Sequence, residues 1–379
     1  MGRVLGVLLA LLFCGYALAQ GGRVDLKFPL LLADDANVTA IETQTDGKIL
    51  IAGKFTTTGA VLRKDIVRLN TDGTMDTTFD AGTGSDNIGL ILAIKLQTDG
   101  KIMVAGTFNT FNGEFRHSVV RLNTDGSVDG SFALSGLDVT FAFDLDIQPD
   151  GKILITASNL IGLSFVARFN TNGSNDGGIG QNFFTMSGGG YGYKLSYMAS
   201  ESKILVSARA GSPSNQANVA KVNISGGMDQ TFSVIATGDP SDLQVFARSF
   251  VSGKILVWGK FTSVNQVARK NIAIVNTDGS LDPSFVAVMN GAETILATAV
   301  QPDGKIIIAG SGFASNNAVS GNIARLNADG SVDTTFKPGR GSNNAVKALK
   351  ILSTNKLMIG GSFFRYAGFP RAGIAQLKL

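Results

Sequence analysis

Four arginines, Arg63, Arg116, Arg269 and Arg371, each follow a recurring lysine by 15 residues. A guanidinium presents a fork of donors that matches a planar carboxylate or a sulfate, so such a row could hold an acidic ligand. A residue repeated in register can equally serve the repeat itself, pairing with an acid or capping nearby carbonyls. Three tyrosines, Tyr191, Tyr193 and Tyr366, lie in or beside glycine-rich loops, where exposed rings could stack on sugars. These seven residues are the candidate ligand contacts.

The acids have a pattern of their own. Asn-x-Asp-Gly-x-x-Asp recurs, as in Asn70, Asp72, Gly73 and Asp76, with a spacing reminiscent of calcium loops. Two residues before the asparagine, where such a loop places its first carboxylate, stand Arg68, Arg121, Lys221 and Arg325, with Arg168 in the third copy. A cation there repels calcium, so the motif reads as a structural turn in which Arg68 and Asp76 face each other as a cross-strand pair contributing about a few tenths of a kcal/mol. No metal and no cofactor are expected. His117 is the only histidine, and no His-Glu-x-x-His, Gly-x-Ser-x-Gly or phosphate-binding loop occurs. A glycosidase needs only two carboxylates, so a carbohydrate-active hydrolase or lyase remains a rival reading.

The positions of all these residues follow from a repeat. Lys48, Lys101, Lys152, Lys203, Lys254, Lys305 and Lys356 are separated by 53 and then five times by 51 residues. In the second copy, four short apolar runs are separated by Thr98-Asp99-Gly100, a polar loop and Thr124-Asp125-Gly126. Asp-Gly between β-branched runs predicts hairpins with type I′ turns. Both tight turns then fall at one edge of a four-stranded unit and the long loops at the other. No stretch keeps a helical apolar period. Four strands in about 50 residues exceed a leucine-rich or β-helical coil and fit a propeller blade. The run of second strands such as Ile49-Leu50-Ile51 suits burial on both faces, and Ala52-Gly53 and its equivalents suggest close approach of neighbouring blades. Trp258 interrupts that series as a space filler or a channel-facing ring.

The last copy ends after its third strand. Gly22 to Phe28 match Gly126 to Phe132, and residues 23 to 379 number 357, seven times 51. The expected fold is an all-β, seven-bladed β-propeller with four antiparallel strands per blade. Its copies lie near 38–79, 90–132, 141–183, 192–232, 243–285, 294–336 and 345–379, the last completed by 22–28. Val24, Asp25 and Phe28 would form the closure strand, removing an open sheet edge.

The pairing of Gln97-Thr98-Asp99-Gly100-Lys101-Ile102-Met103-Val104-Ala105-Gly106 with Arg121-Leu122-Asn123-Thr124-Asp125-Gly126-Ser127-Val128-Asp129-Gly130-Ser131-Phe132 resembles the delta-60 repeat, a β-propeller repeat of exported and surface proteins, mainly bacterial. That resemblance implies a propeller and an exported location; the family supplies no catalytic residues. The fourth copy departs from it at Glu201-Ser202 and Ser225-Gly226-Gly227.

Residues 1–19 have the layout of a cleavable secretory signal, with Arg3, an apolar run and Ala17-Leu18-Ala19 before Gln20. Cleavage would remove Cys14, the one cysteine, and would leave 32 basic and 29 acidic residues, a net charge of +3. Nucleic acid is not indicated at that balance, and no membrane span remains after cleavage. The sequence therefore points to a secreted or periplasmic, monomeric propeller, residues 20–379, that binds an extracellular glycan or protein through its long-loop face. A scaffold for protein assembly is the third reading.

Overall fold

The computed structural model describes residues 21–379 apart from 87–88, 162–163, 180–181, 184–193, 208–215, 290–292, 314–320 and 354. The leader at 1–19 and the rings of Tyr191 and Tyr193 lie outside the described residues.

The chain is all-β, and among the described residues its helical content is one 3-10 turn, Val251–Gly253. The principal strands form seven antiparallel groups of three with the second strand in the middle. In chain order the first, inner strands are Asn37–Thr43, Ile91–Leu96, Phe141–Ile147, Lys194–Met198, Gln244–Ser249, Thr294–Val300 and Val346–Ser353. The central strands, such as Ile49–Thr56 and Ile306–Ser311, are buried almost throughout because both faces are covered.

The Asp-Gly turns differ from the expected type. Gly47 has φ +83° while Asp46 is not left-handed; Gly47 N–H donates to the Gln44 carbonyl and Gln44 N–H to that of Lys48. This is a type I turn closed by a glycine bulge, in which one residue and not two needs positive φ. The Asp46 carboxylate accepts from Lys48 N–H, which fixes the turn without a left-handed aspartate.

The small residues of the central strands also have a different cause from close approach between blades. A β-bulge between Val38 and Ala40 turns the Asn37 carbonyl toward Gly53, where a Cβ would lie 2.1 Å from that oxygen. Gly310 meets the Thr294 carbonyl at 1.8 Å in the same way. The glycine is required by the inner strand of its own sheet.

The outer segment is shorter than a strand in most copies. Leu69–Met75, Leu122–Val128, Phe169–Asn175, Val222–Met228, Val275–Leu281 and Leu326–Val332 are single bridges, and among the described residues longer fourth strands occur in the third and fourth sheets, at Asn182–Phe183 and Val234–Thr237. The chain bends directly after each bridge because the aspartate carboxylate captures the residue two ahead: Asp76 Oδ1 accepts from Thr78 N–H at 3.0 Å and from its hydroxyl at 2.6 Å. That turn directs Phe79, and equally Phe132, Phe232, Phe285 and Phe336, into the core.

At the seventh sheet this place is taken by the N-terminal segment. Gly22 N–H donates to the Lys378 carbonyl, Lys378 N–H to that of Arg23, and Asp25 N–H to that of Gln376; Val24 and Leu377 form the bridge. Phe28 is buried beside sheets one and seven. Among the described residues the apolar core divides into seven clusters, each shared by two sheets consecutive in the chain or, in one case, by the seventh and the first. Trp258 is a core residue, packed 6.0 Å from Phe246, and its Nε1 is buried without an acceptor.

Candidate functional site

On the long-loop edge the four arginines close short loops and hairpins. Arg116, Arg269 and Arg371 N–H groups donate to the carbonyls of Asn109, Thr262 and Phe364, while the Arg63 carbonyl accepts from Thr57. Their guanidinium groups largely cap backbone. Arg63 donates to the carbonyls of Phe79 at 2.8 Å, Leu62 at 3.0 Å and Thr77 at 3.2 Å, and lies 3.5 Å from the Asp80 carboxylate. Arg371 donates to the carbonyls of Pro370 and Leu26. Leu26 stands 51 residues before Thr77, so the N-terminal segment receives the contact that the first copy gives its own outer segment. Arg269 caps the Ala268 carbonyl, and Arg116 pairs with Glu114. Arg116 lines an open recess of about 490 Å³ with Asp80, Asn112 and Glu114.

Tyr366 is not an exposed ring. It is wholly buried, and its hydroxyl donates to the Gly22 carbonyl at 3.1 Å; burial pushes the phenol's pKa up. Its register partners are Phe111 and Val264, both core residues, so the loop reading failed because Tyr366 continues an apolar column. His117 is exposed and packs edge-on against Phe115.

The repeated turn motif builds a node at the opposite edge. Asp76 Oδ2 accepts from Lys48 at 2.7 Å and from Arg68 Nε at 2.8 Å, and Arg68 lies 4.8 Å over the Phe79 ring. Burial would raise the Asp76 pKa, but Lys48, Thr78 and Arg68 outweigh it and hold the carboxyl well below the usual carboxylate range. The pair expected on the surface is thus a buried one with a third partner, which also explains the periodic lysine. Asp129, Asp176 and Asp333 each hold a lysine and an arginine in the same arrangement, whereas Asp229 and Asp282 hold the repeat lysine. In the seventh sheet Gln376 replaces the arginine and donates to Asp25 at 2.9 Å.

A third group of side chains comes together where the inner strands converge. Glu42, Lys95, Asp146, Tyr197, Arg248, Ala299 and Lys350 occupy one register position, separated by the same 53 and 51 residues. Lys350 pairs with Glu42, Lys95 lies 3.2 Å from Asp146, and one layer away Lys194 lies 3.7 Å from Asp144. Asp144 and Asp146 also accept from the N–H groups of Leu195 and Tyr197, capping the unpaired edge of the neighbouring inner strand. Burial works against the charge of Lys95, but Asp146, Asp144 and Glu42 outweigh it and raise its pKa. The ion pairs join sheets seven and one, two and three, and three and four, and so bring these side chains to one concavity, in which Arg248 feels both Asp146 and Glu42. Sequence reasoning missed this group, although a signal existed: it is a register position at which the copies disagree in charge while their neighbours agree.

Among the described residues no set of three His, Cys, Asp or Glu side chains is arranged to hold a metal, and no helix is long and apolar enough to span a membrane.

Comparison with known proteins yields a family. The family model described as "Domain of unknown function (DUF5122) beta-propeller" matches residues 44–79, 97–132, 148–177, 252–285, 301–336 and 352–379, just over half of the chain. The fourth copy, in which Glu201-Ser202 replaces Asp-Gly, is not matched. No curated protein matches the sequence. Among solved structures, the extracellular domain of a protein described as a hybrid two component system from B. thetaiotaomicron superposes with a TM-score of 0.55 at 11% identity, over 94% of this chain and 42% of that one. A puromycin hydrolase superposes with a TM-score of 0.55 at 12% identity, over 91% of this chain and 52% of that one. The chain therefore spans about half or less of the length of these two structures, and likeness at such identity carries the fold alone.

Proposed function

We propose, for a chain that belongs to the DUF5122 β-propeller family, that it is an exported, seven-bladed propeller of the delta-60 repeat type that binds an extracellular ligand, glycan or protein, without chemistry of its own. The seven shared core clusters and the docking of Gly22–Asp25 on Gln376–Lys378 support a ring closed by the N-terminal segment. Closure leaves no free outer edge on the last blade.

The observation that carries the binding role is the long-loop rim of sheets seven, one and two, whose inner strands are neighbours. Leu62 and Phe115, each 61% exposed, immediately precede Arg63 and Arg116, and Phe364 and Phe369 stand at 50% and 43% around the hairpin before Arg371. Large apolar side chains held in water beside guanidinium groups, at equivalent places on adjacent sheets, mark a contact surface. Tyr191 and Tyr193 belong to the same proposal as loop contacts. The rival enzyme needs a carboxylate free to act as general acid. Glu42, Asp144 and Asp146 instead each have a lysine partner, which favours the non-catalytic reading.

A glycan array run beside a pull-down from the native medium tests the proposal. A specific glycan or protein signal that is lost on Leu62→Asp with Phe115→Asp supports the rim. Turnover of a polysaccharide by the purified protein, abolished by Asp146→Asn, would replace binding by catalysis.

A further inference from the structure

The charges in the inner-strand concavity do not balance. Glu42 is matched by Lys350, Asp146 by Lys95 and Asp144 by Lys194. Two cations remain. The Arg248 guanidinium makes no hydrogen bond or ion pair among the described residues, although the residue is exposed to solvent. Lys347 donates to the neutral Asn37 amide oxygen at 2.9 Å and has no carboxylate partner.

Both cations flank a single inner strand. Arg248 lies on Gln244–Ser249 and Lys347 on Val346–Ser353, to either side of Thr294–Val300. At the register position where the other copies carry Glu42, Lys95, Asp146, Tyr197, Arg248 and Lys350, this intervening strand carries Ala299. On its other side Arg248 has Tyr197, a half-exposed phenol that also lines a recess of about 450 Å³ with Lys152 and Gln148.

Burial lowers the pKa of Lys347 and that of Arg248, in the latter case against the pull of Asp146 and Glu42. For Arg248 this coexists with solvent exposure because a side chain inside a concavity can touch water while protein surrounds it. An uncompensated cation in such a place is costly unless an anion meets it. Five guanidinium donors left free in a walled, wet site make a receptor for an oxyanion.

We propose that Arg248, set between Tyr197 and Ala299, is an oxyanion-binding site that takes the carboxylate or sulfate substituent of a ligand entering the concavity, with Lys347, nearer the long-loop end of its strand, adding positive charge along the same wall. The inference rests on the proposed ligand-binding function and names the chemical class of ligand. It places the acidic group of the ligand on the inner strands, distinct from the rim arginines, of which Arg63, Arg269 and Arg371 donate to backbone carbonyls and Arg116 pairs with Glu114.

The test is calorimetric titration of the full chain with tetragalacturonate, its methyl ester and a sulfated tetrasaccharide, for the parent protein and for Arg248→Gln, Arg248→Lys and Lys337→Gln. The two acidic probes bind and the neutral ester does not. Whichever of them binds more tightly identifies the substituent. Arg248→Gln weakens binding about tenfold to a hundredfold, the loss expected for charge-assisted hydrogen bonds. Arg248→Lys falls between, Lys337→Gln, which removes an exposed cation outside both the rim and the concavity, leaves affinity unchanged, and affinity declines as salt rises. The Arg248 guanidinium makes no hydrogen bond among the described residues, so an unchanged melting curve for Arg248→Gln separates loss of binding from loss of fold. Equal binding of the ester and the acids, unchanged affinity in Arg248→Gln, or no binding of either acidic probe overturns the site. The wider binding function falls only if the glycan array and the pull-down are blank as well.

Discussion

Phe28→Ala measures whether the N-terminal segment is part of the folded unit. Phe28 is 4% exposed and lies in the core cluster shared by the first and seventh sheets, against Leu69, Ile374 and the Gly73 turn. It stands 51 residues before Phe79, which is fully buried in the corresponding place between sheets one and two. Truncating a buried phenylalanine removes its transfer free energy and leaves a cavity, together about 3–5 kcal/mol. Phe28 should fall at the low end, about 3 kcal/mol, because the segment holding it can partly collapse and because among the described residues no cation covers its ring as Arg68 covers Phe79. Tyr366→Phe tests the same docking by another contact, since it removes only the hydroxyl that donates to Gly22 and should cost about 1 kcal/mol. The assay is urea unfolding at fixed temperature, with Phe79→Ala as the internal reference, reading midpoints at constant slope. Phe28→Ala should reach at least half of the Phe79→Ala loss. A loss under about 1 kcal/mol, with Phe79→Ala costing its full 3–5, would mean that the segment is not integral to the fold, and the closed-ring reasoning would fail.

Asp76→Ala leaves Lys48 and the buried Arg68 without their carboxylate and should cost about 3 kcal/mol, whereas Asp25→Ala, whose partner is the neutral Gln376, should cost about 1; equal losses in urea melts would contradict the charge argument. Gly310→Ala drives a Cβ against the Thr294 carbonyl and should lose about 1–3 kcal/mol, while Gly130→Ala, with open space around it, should stay within about 0.5 by thermal melting. The node carboxylates have pKa values depressed below 3.8, that of Asp282 to about 2, chiefly by Lys254 and Ser284. Their contribution to stability is therefore complete above the unfolded value and is lost as pH falls through the folded one. Melting temperature should decline from about pH 4 toward 2, less steeply in Asp282→Asn. A decline shared by both proteins would assign the acid sensitivity elsewhere.

The 51-residue period, the Asp-Gly turns and the alternation of buried strands with loops were legible in the sequence because they are local and repeated: each copy must solve the same folding problem with the same residues. That is why the matching of Gly22–Phe28 to Gly126–Phe132, the columns of core phenylalanines and the pairing of Arg68 with Asp76 could be read from spacing. What depends on three dimensions could not. Whether Arg68–Asp76 is a surface pair or a buried node depends on Lys48, 28 residues away from Asp76, and on the next sheet covering it. Tyr366 looked like a loop residue because a hairpin of two-residue strands has no period to betray its buried side. Gly53 appeared to serve the contact between sheets, when a bulge in its own inner strand requires it. The inner-strand charges are the clearest case. Glu42, Lys95, Asp146, Arg248 and Lys350 are isolated residues in separate copies, and only the convergence of their strands makes them one electrostatic site, in which the partners of each acid, and the cation left over, are decided by proximity across sheets.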